Sequence, residues 1–311
     1  WDKARASLAY RPLLSGEYVL DSFSMEGAAM DVTAPNEAGE TEILARLIDL
    51  ELDLGPVNIK QLDQPMAVDA TWRTELPEQS MALASTLEVE AFLDADLSVL
   101  CLRDLDLTLA FLGKHLVLQA DCDLNMRDMA LECPLLTLDG LGASLEASGV
   151  ALSNLAEDPL LKGRFVLSGD PREIMAGLGL PDMATQDPDV LRRVRLETRV
   201  EFQGETLRLA ELDGEIDGST LSGEIVATPE SAELDLHVDL LNVDGYMAPE
   251  GLEESGPDEE SPLTALGVLG EIELSGHVSV EELVLEGETF REVRLTLEPL
   301  PLPPLDAVPA R

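Results

Sequence analysis

The chain has 311 residues, of which 62 are acidic and 20 basic, for a net charge of −42, yet 45% of it is apolar. That apolar share excludes a disordered acidic tail, and the shortage of Lys and Arg argues against unassisted binding to DNA, RNA or an anionic lipid surface. Aromatic residues make up only 4%, so the core is expected to be aliphatic.

In chain order, the dominant signal is alternation of apolar and charged residues. Glu37 to Leu47 is compatible with a helix, but alternation takes over at once in IDLELDLG, where Ile48, Leu50, Leu52 and Leu54 alternate with Asp49, Glu51 and Asp53. The same rhythm runs through STLEVEAF, with Leu87 and Val89, and RDLDLTLAFL, with Leu105, Leu107 and Leu109. Successive side chains of a strand point to opposite faces, so each run has one aliphatic and one charged face. Cys101, Cys122 and Cys133 follow, odd in number and too widely spaced for a paired metal or redox motif. Cys122 and Cys133 sit in strand-like runs and read as small buried thiols, with a disulfide between two of the three left open.

Asp170, Pro171 and Glu173 form a helix start, with a capping Asp, Pro in the first position and Glu reaching back. Asp187–Pro188 is expected to open a second helix holding Val190, Leu191 and Val194. Alternation then resumes in RVRLETRVEF, in ELDLHVDLL, with Leu234, Leu236, Val238 and Leu240, and in GEIELSGHVSVEELVLEG, with Ile272, Leu274, Val278 and Val280. Short Gly, Asn, Asp and Ser breaks such as LDGLGAS, LDGEIDGS and LSGE give the spacing of antiparallel meanders. Residues 249–262 read as an acidic flexible loop, 263–298 as the final strands of the same sheet as 1–248, and 299–311 as a proline-rich tail.

The chemistry-bearing residues are sparse. Asp213, Glu215, Asp217, Gly218 and Glu224 fall on the spacing of a helix-flanked calcium loop, but strand-like flanks favour two β-turns. His115, His237 and His277 stand apart, and no nucleophile elbow or phosphate-binding glycine loop is present. The expectation is a non-enzyme with no cofactor and no metal. No charge-free run approaches the roughly 18 residues of a spanning helix. The chain opens at Trp1 rather than Met and is read as a piece of a longer protein.

The fold class read from these patterns is mainly β with two or three short helices. Both a closed two-layer sandwich and a single curled sheet lining a trough produce clean alternation. The ring-poor apolar face and the acidic outer face lean towards the trough.

Several longer segments belong together: LAYRPLLSGEYVLDSFSMEGAAMDV, LIDLELDLGPVNI and GRFVLSGDPREIMAGLGLP, then DPDVLRRVRLETRVEFQGETLRLAELDGEIDGSTLSGEIVA. LDLHVDLLNVDGYMAP closes that passage on Leu241, Asn242, Asp244, Tyr246 and Pro249, and GHVSVEELVLEGETFREVRLTLEPL follows as a strand pair. In this order the segments resemble the AsmA-like family of Gram-negative bacteria. The stretch APNEAGETEI stands where the family usually has an Asn-Trp pair. The resemblance implies an elongated, curled antiparallel sheet forming an apolar groove, related to bridge-like lipid transfer proteins. It implies a periplasmic protein held in the inner membrane by a segment upstream of Trp1. Its partners would be phospholipid acyl chains and outer-membrane or periplasmic proteins, in support of outer-membrane biogenesis. The groove-lining candidates are the seventeen apolar residues named above in the alternating strand runs, from Ile48 to Leu109 and from Leu234 to Val280, except Leu241. The alternative reading is a closed sandwich that scaffolds outer-membrane protein assembly without carrying lipid.

Overall fold

Leu and Val at every second position, with acids between them, favour extended backbone that buries one face and hydrates the other. The computed structural model bears this out. It describes residues 2–14, 19–35, 41–58, 60–76, 81–111, 113–154, 158–180, 184–247 and 273–298. Among the described residues the protein is mainly β, its antiparallel ladders curled and unclosed, with three short helices. The chain divides into two compact units, Trp1–Gly163 and Arg164–Arg311.

The first unit holds β1 (Lys3–Leu8), α1 (Tyr10–Leu14), β2 (Val19–Pro35), β3 (Thr41–Leu54) and β4 (Val57–Asn58). It continues with β5 (Met66–Leu76), β6 (Met81–Leu93), β7 (Val99–Phe111), β8 (Lys114–Asn125), β9 (Ala130–Gly140) and β10 (Ala143–Ser153). These form an antiparallel meander in which β1 pairs β2, β2 pairs β3, β3 pairs β5, and each later strand pairs the next. The two-residue β4 instead lies back against the start of β2. Of the stretch compatible with a helix, 37–40 lies outside the described residues and 41–47 belongs to β3, so strand replaces helix there. The β-branched and apolar alternation of TEILARL pairs with β2 and outweighs local helix preference.

Bulges interrupt the meander and bend its strands. At two of them an aspartate takes the left-handed conformation, Asp49 at φ 53° and Asp104 at φ 49°. Asp121 accepts the Asp104 backbone N–H at 2.9 Å, and Arg103 donates to the Cys122 carbonyl at 3.0 Å, so side chains satisfy backbone groups freed by the irregularity.

β11 (Leu160–Gly169) runs across the boundary between the units. The second unit then holds α2 (Pro171–Gly177), β12 (Val194–Gln203), β13 (Thr206–Ile216), β14 (Ser219–Ala227) and β15 (Ser231–Asn242). It ends with α3 (Val243–Tyr246), β16 (Glu273–Leu285) and β17 (Glu288–Leu297). Pairing is antiparallel from β12 to β15 and again between β16 and β17, but β15 and β16 run parallel. Parallel neighbours need a long crossover, and the connection from 243 to 272 supplies it. The acidic segment 249–262 falls there, outside the described residues, as do 263–272 and the tail 299–311.

α2 begins where Asp170 and Pro171 place it. Pro171 takes the first position, and the Asp170 carboxylate accepts from the backbone N–H groups of Arg172 at 2.9 Å and Glu173 at 3.2 Å. The second expected helix, after Asp187–Pro188, is a run of turns and bends. What holds that run is Asp217, in the turn after β13. Its carboxylate accepts from the backbone N–H groups of Leu191 at 2.6 Å, Arg192 at 2.9 Å and Arg193 at 3.1 Å, and from the Tyr246 hydroxyl at 3.0 Å. Those donors draw the 191–193 backbone around one anion rather than into a helix. Burial pushes Asp217 up, but the three backbone donors and Tyr246 outweigh it and hold the carboxyl below its ordinary range. Burial and the Asp217 hydrogen bond together raise Tyr246 to about 12.

The stabilisation from a depressed carboxylate is complete above the ordinary Asp range and is lost as pH falls through the lowered folded value. Asp217→Ala is therefore expected to cost about 2–3 kcal/mol at neutral pH. The gap between variant and native stability should narrow as unfolding is followed into acid. A gap that stays constant down to the lowest pH would show that the carboxylate charge is not what holds the turn.

Candidate functional site

Directly paired residues of neighbouring strands share a face, so the registers show what each face presents. In the first unit one aliphatic row crosses nine strands: Ala4, Met25, Leu52, Ala70, Leu87, Leu107, Leu118, Leu138 and Leu145. A flanking row runs Ala6, Phe23, Leu54, Val68 and Val89, and beyond the β6–β7 bulge continues as Leu105, Ala120, Leu136 and Ala147. Beside these, Leu109 pairs Leu116, and Leu93, Leu100, Leu124, Leu131 and Leu152 form a further row.

The burial pattern of this face distinguishes a floor from a filled core. The buried positions are mostly small: Ala28, Ala70, Ala91, Ala120 and Ala147, with Cys122, Cys133 and one larger side chain, Val89. The leucines around them, including Leu52, Leu87, Leu107, Leu118 and Leu138, are only half-buried. A second layer packed on this face would bury the leucines first, because they stand furthest from the sheet.

Of the groove candidates in this unit, Leu50, Leu52, Leu54, Leu87, Val89, Leu105, Leu107 and Leu109 share this face. Ile48 does not. The bulge at Asp49 shifts the register, so that Ile48 pairs Arg73 on the charged face while Leu47 pairs Thr74 and Met30 on the apolar one. The β8 to β10 leucines belong to the same surface, although they are not among the groove candidates. Their alternation, as in Leu116, Leu118, Ala120, Cys122 and Leu124, is the signal that identifies them.

In the second unit Leu234, Leu236 and Val238 pair Gly276, Val278 and Val280, and Ala232 pairs Leu274. Ile225, Gly223 and Leu221 flank them on β14, and Leu297, Leu295 and Val293 on β17. Val280 is 1% exposed and is the largest fully buried side chain of the described residues. Leu240 pairs Glu282, where the apolar row ends, and Ile272 lies outside the described residues. Gly223 and Gly276 are not strand breaks. A Cβ at Gly223 would meet the Asp235 carbonyl oxygen at 2.0 Å and one at Gly276 the Leu234 carbonyl oxygen at 1.9 Å, so only glycine allows these strands to approach.

The opposite face of the first unit is acidic. Asp53, Asp69, Glu88 and Asp106 stand directly beside one another across four strands. Like charges so placed repel, which keeps this face in water and opposes association through it. At one end of that face Arg103 pairs Asp123 at 2.7 Å and lies 5.7 Å from the Phe92 ring centre. Beside it sits the buried free thiol of Cys101, raised by burial and by the Asp123 hydrogen bond.

The other two cysteines are joined. Cys122 and Cys133 form a disulfide across β8 and β9, with Cα atoms 4.3 Å apart, among Leu102, Leu118, Leu131, Leu136 and Val150.

No family model, no curated protein and no solved structure matches this chain.

Among the described residues no three His, Cys, Asp or Glu side chains converge so as to hold a metal ion. In the calcium-like motif, Asp213 and Glu215 lie within β13, Asp217 is occupied by backbone donors, and Glu224 pairs Arg208 at 2.6 Å. His237 faces Ser279 at 3.0 Å and Glu281 at 3.3 Å on an exposed face; His115 and His277 are exposed. No helix of the described residues is long and apolar enough to cross a membrane. What the arrangement offers chemically is a broad aliphatic surface, half-exposed, mounted on an acidic hydrated back.

Proposed function

We propose that this chain is a non-catalytic β-groove that carries phospholipid acyl chains. It would be part of an AsmA-like periplasmic protein anchored in the inner membrane and supporting outer-membrane biogenesis. The observation that carries the reading is the nine-strand aliphatic row whose leucines remain half-exposed. Such a surface binds alkyl chains by burial alone, at roughly 0.8 kcal/mol per methylene removed from water, and needs no specific headgroup contact. Two further features support the reading. The disulfide suits an oxidising compartment such as the periplasm. The acidic back keeps the protein from collapsing onto anionic lipid surfaces, so lipid would meet only the apolar face.

The test is mass spectrometry of organic extracts from the detergent-free purified protein, beside an equally acidic control. Near-stoichiometric phospholipid is the expected result. An extract as clean as the control's would overturn lipid carriage and favour the scaffold reading.

A further inference from the structure

A cavity of about 210 Å³ lies at one end of the first unit's apolar face. Its walls include Val57, Leu62, Met66, Ala91, Leu93 and Leu100. Two of these, Leu93 and Leu100, are paired members of the aliphatic row that continues through Leu124 and Leu131, so the cavity opens from the same surface that the rows build.

The segment that makes the outer wall is pinned rather than loose. β4 pairs the start of β2, with Val57 opposite Leu20 and Asn58 opposite Val19. Gly55 donates to the Ala67 carbonyl at 2.9 Å, and the Leu93 backbone N–H donates to the Leu62 carbonyl at 2.8 Å. The turn closes on itself. Asn58 donates to the Gln61 side-chain oxygen at 2.9 Å and accepts from the Lys60 backbone N–H at 3.0 Å, so these rim amides are engaged with each other.

A dry apolar cavity of roughly 150 Å³ is enough to take up benzene, so this one is ample for a short alkyl terminus. Any charged or strongly polar group would lose its hydration here for little in return. With the Asn58, Gln61 and Gln64 amides also among its lining, the wall is mostly apolar and favours the end of a hydrocarbon chain over a charged headgroup.

Resting on the acyl-carrying reading, we infer that this cavity is the terminal subsite that receives the methyl end of an acyl chain. It sets which end of a bound chain lies at the β5–β6–β7 end of the first unit. The strands hold the body of the chain by contact area, whereas the half-open cavity takes up its tip and so fixes its direction.

The experiment uses the full chain and palmitate carrying a photoactivatable diazirine at its terminal carbon, with labelled peptides mapped by mass spectrometry. Label is expected to concentrate in residues 56–66 and 91–100. Ala91→Phe fills the cavity from the sheet side and Leu62→Trp from the loop side, so a folding defect in one leaves the other as a test. Each should lower the share of label in those segments by about fivefold or more, the equivalent of losing burial of a methylene or two. Label spread along the strands in the native chain, or unmoved by both substitutions, overturns the subsite while leaving acyl binding intact. Absence of acyl label anywhere overturns the subsite and the acyl-carrying reading together.

Discussion

Leu107→Glu is expected to lower bound phospholipid by about tenfold or more while leaving the protein folded. Leu107 stands mid-row between Leu87 on β6 and Leu118 on β8, so an alkyl chain lying along the aliphatic surface meets it. A carboxylate there removes the contact of several methylenes and would have to be desolvated by whatever covers it. Because Leu107 is only half-buried, the new carboxylate reaches water in the lipid-free protein, and stability should change little. Gln119→Glu, one residue from Leu118 but on the hydrated face with Asp106, is the control and should leave lipid binding unchanged. The readouts are phospholipid per chain by mass spectrometry and urea unfolding of both variants. A loss of several kcal/mol of stability in Leu107→Glu, with no lipid in the native protein, would mean that a second layer covers this face in solution.

The second large effect belongs to the disulfide. Cys122 and Cys133 are separated by 11 residues in sequence, and tying them removes loop-closure entropy from the unfolded chain. Replacing both with Ala is expected to cost about 3 kcal/mol, read as a lower urea midpoint with little change in slope. Alanine avoids burying two hydroxyls among Leu102, Leu118, Leu131 and Leu136. The native protein unfolded without reductant should expose a single titratable thiol, that of Cys101. Three thiols under those conditions would remove the disulfide and, with it, one support for an oxidising compartment.

The two faces of most strands are legible in the sequence because side-chain direction in a strand has period two, a purely local property. Leu50, Leu52 and Leu54, or Leu234, Leu236 and Val238, could be assigned to one face without any partner strand. Ile48 shows where that stops. Its alternation with Leu50 is clean, but the left-handed Asp49 turns the strand by one register and sends Ile48 to the charged side beside Arg73. Bulges depend on how two strands pair, and their residues look ordinary in the sequence.

Helices divide in the same way. Asp170–Pro171 announces α2 because capping is satisfied within a few residues. Asp187–Pro188 carries a similar signal but forms no helix, since Asp217, distant in sequence, captures the backbone of 191–193. The chain's own composition thus determined a mainly β protein with aliphatic and acidic faces, because alternation, capping and charge act over a few residues. The tertiary structure alone decided which residues form the nine-strand row, that β15 and β16 run parallel, and where the cavity beside Leu93 lies. It also chose the cysteine pair: Leu102 faces Cys122, so Cys101 looks to the opposite side of the sheet and Cys133 is left as the partner. Each of these follows from register between strands, which depends on residues far apart in the chain.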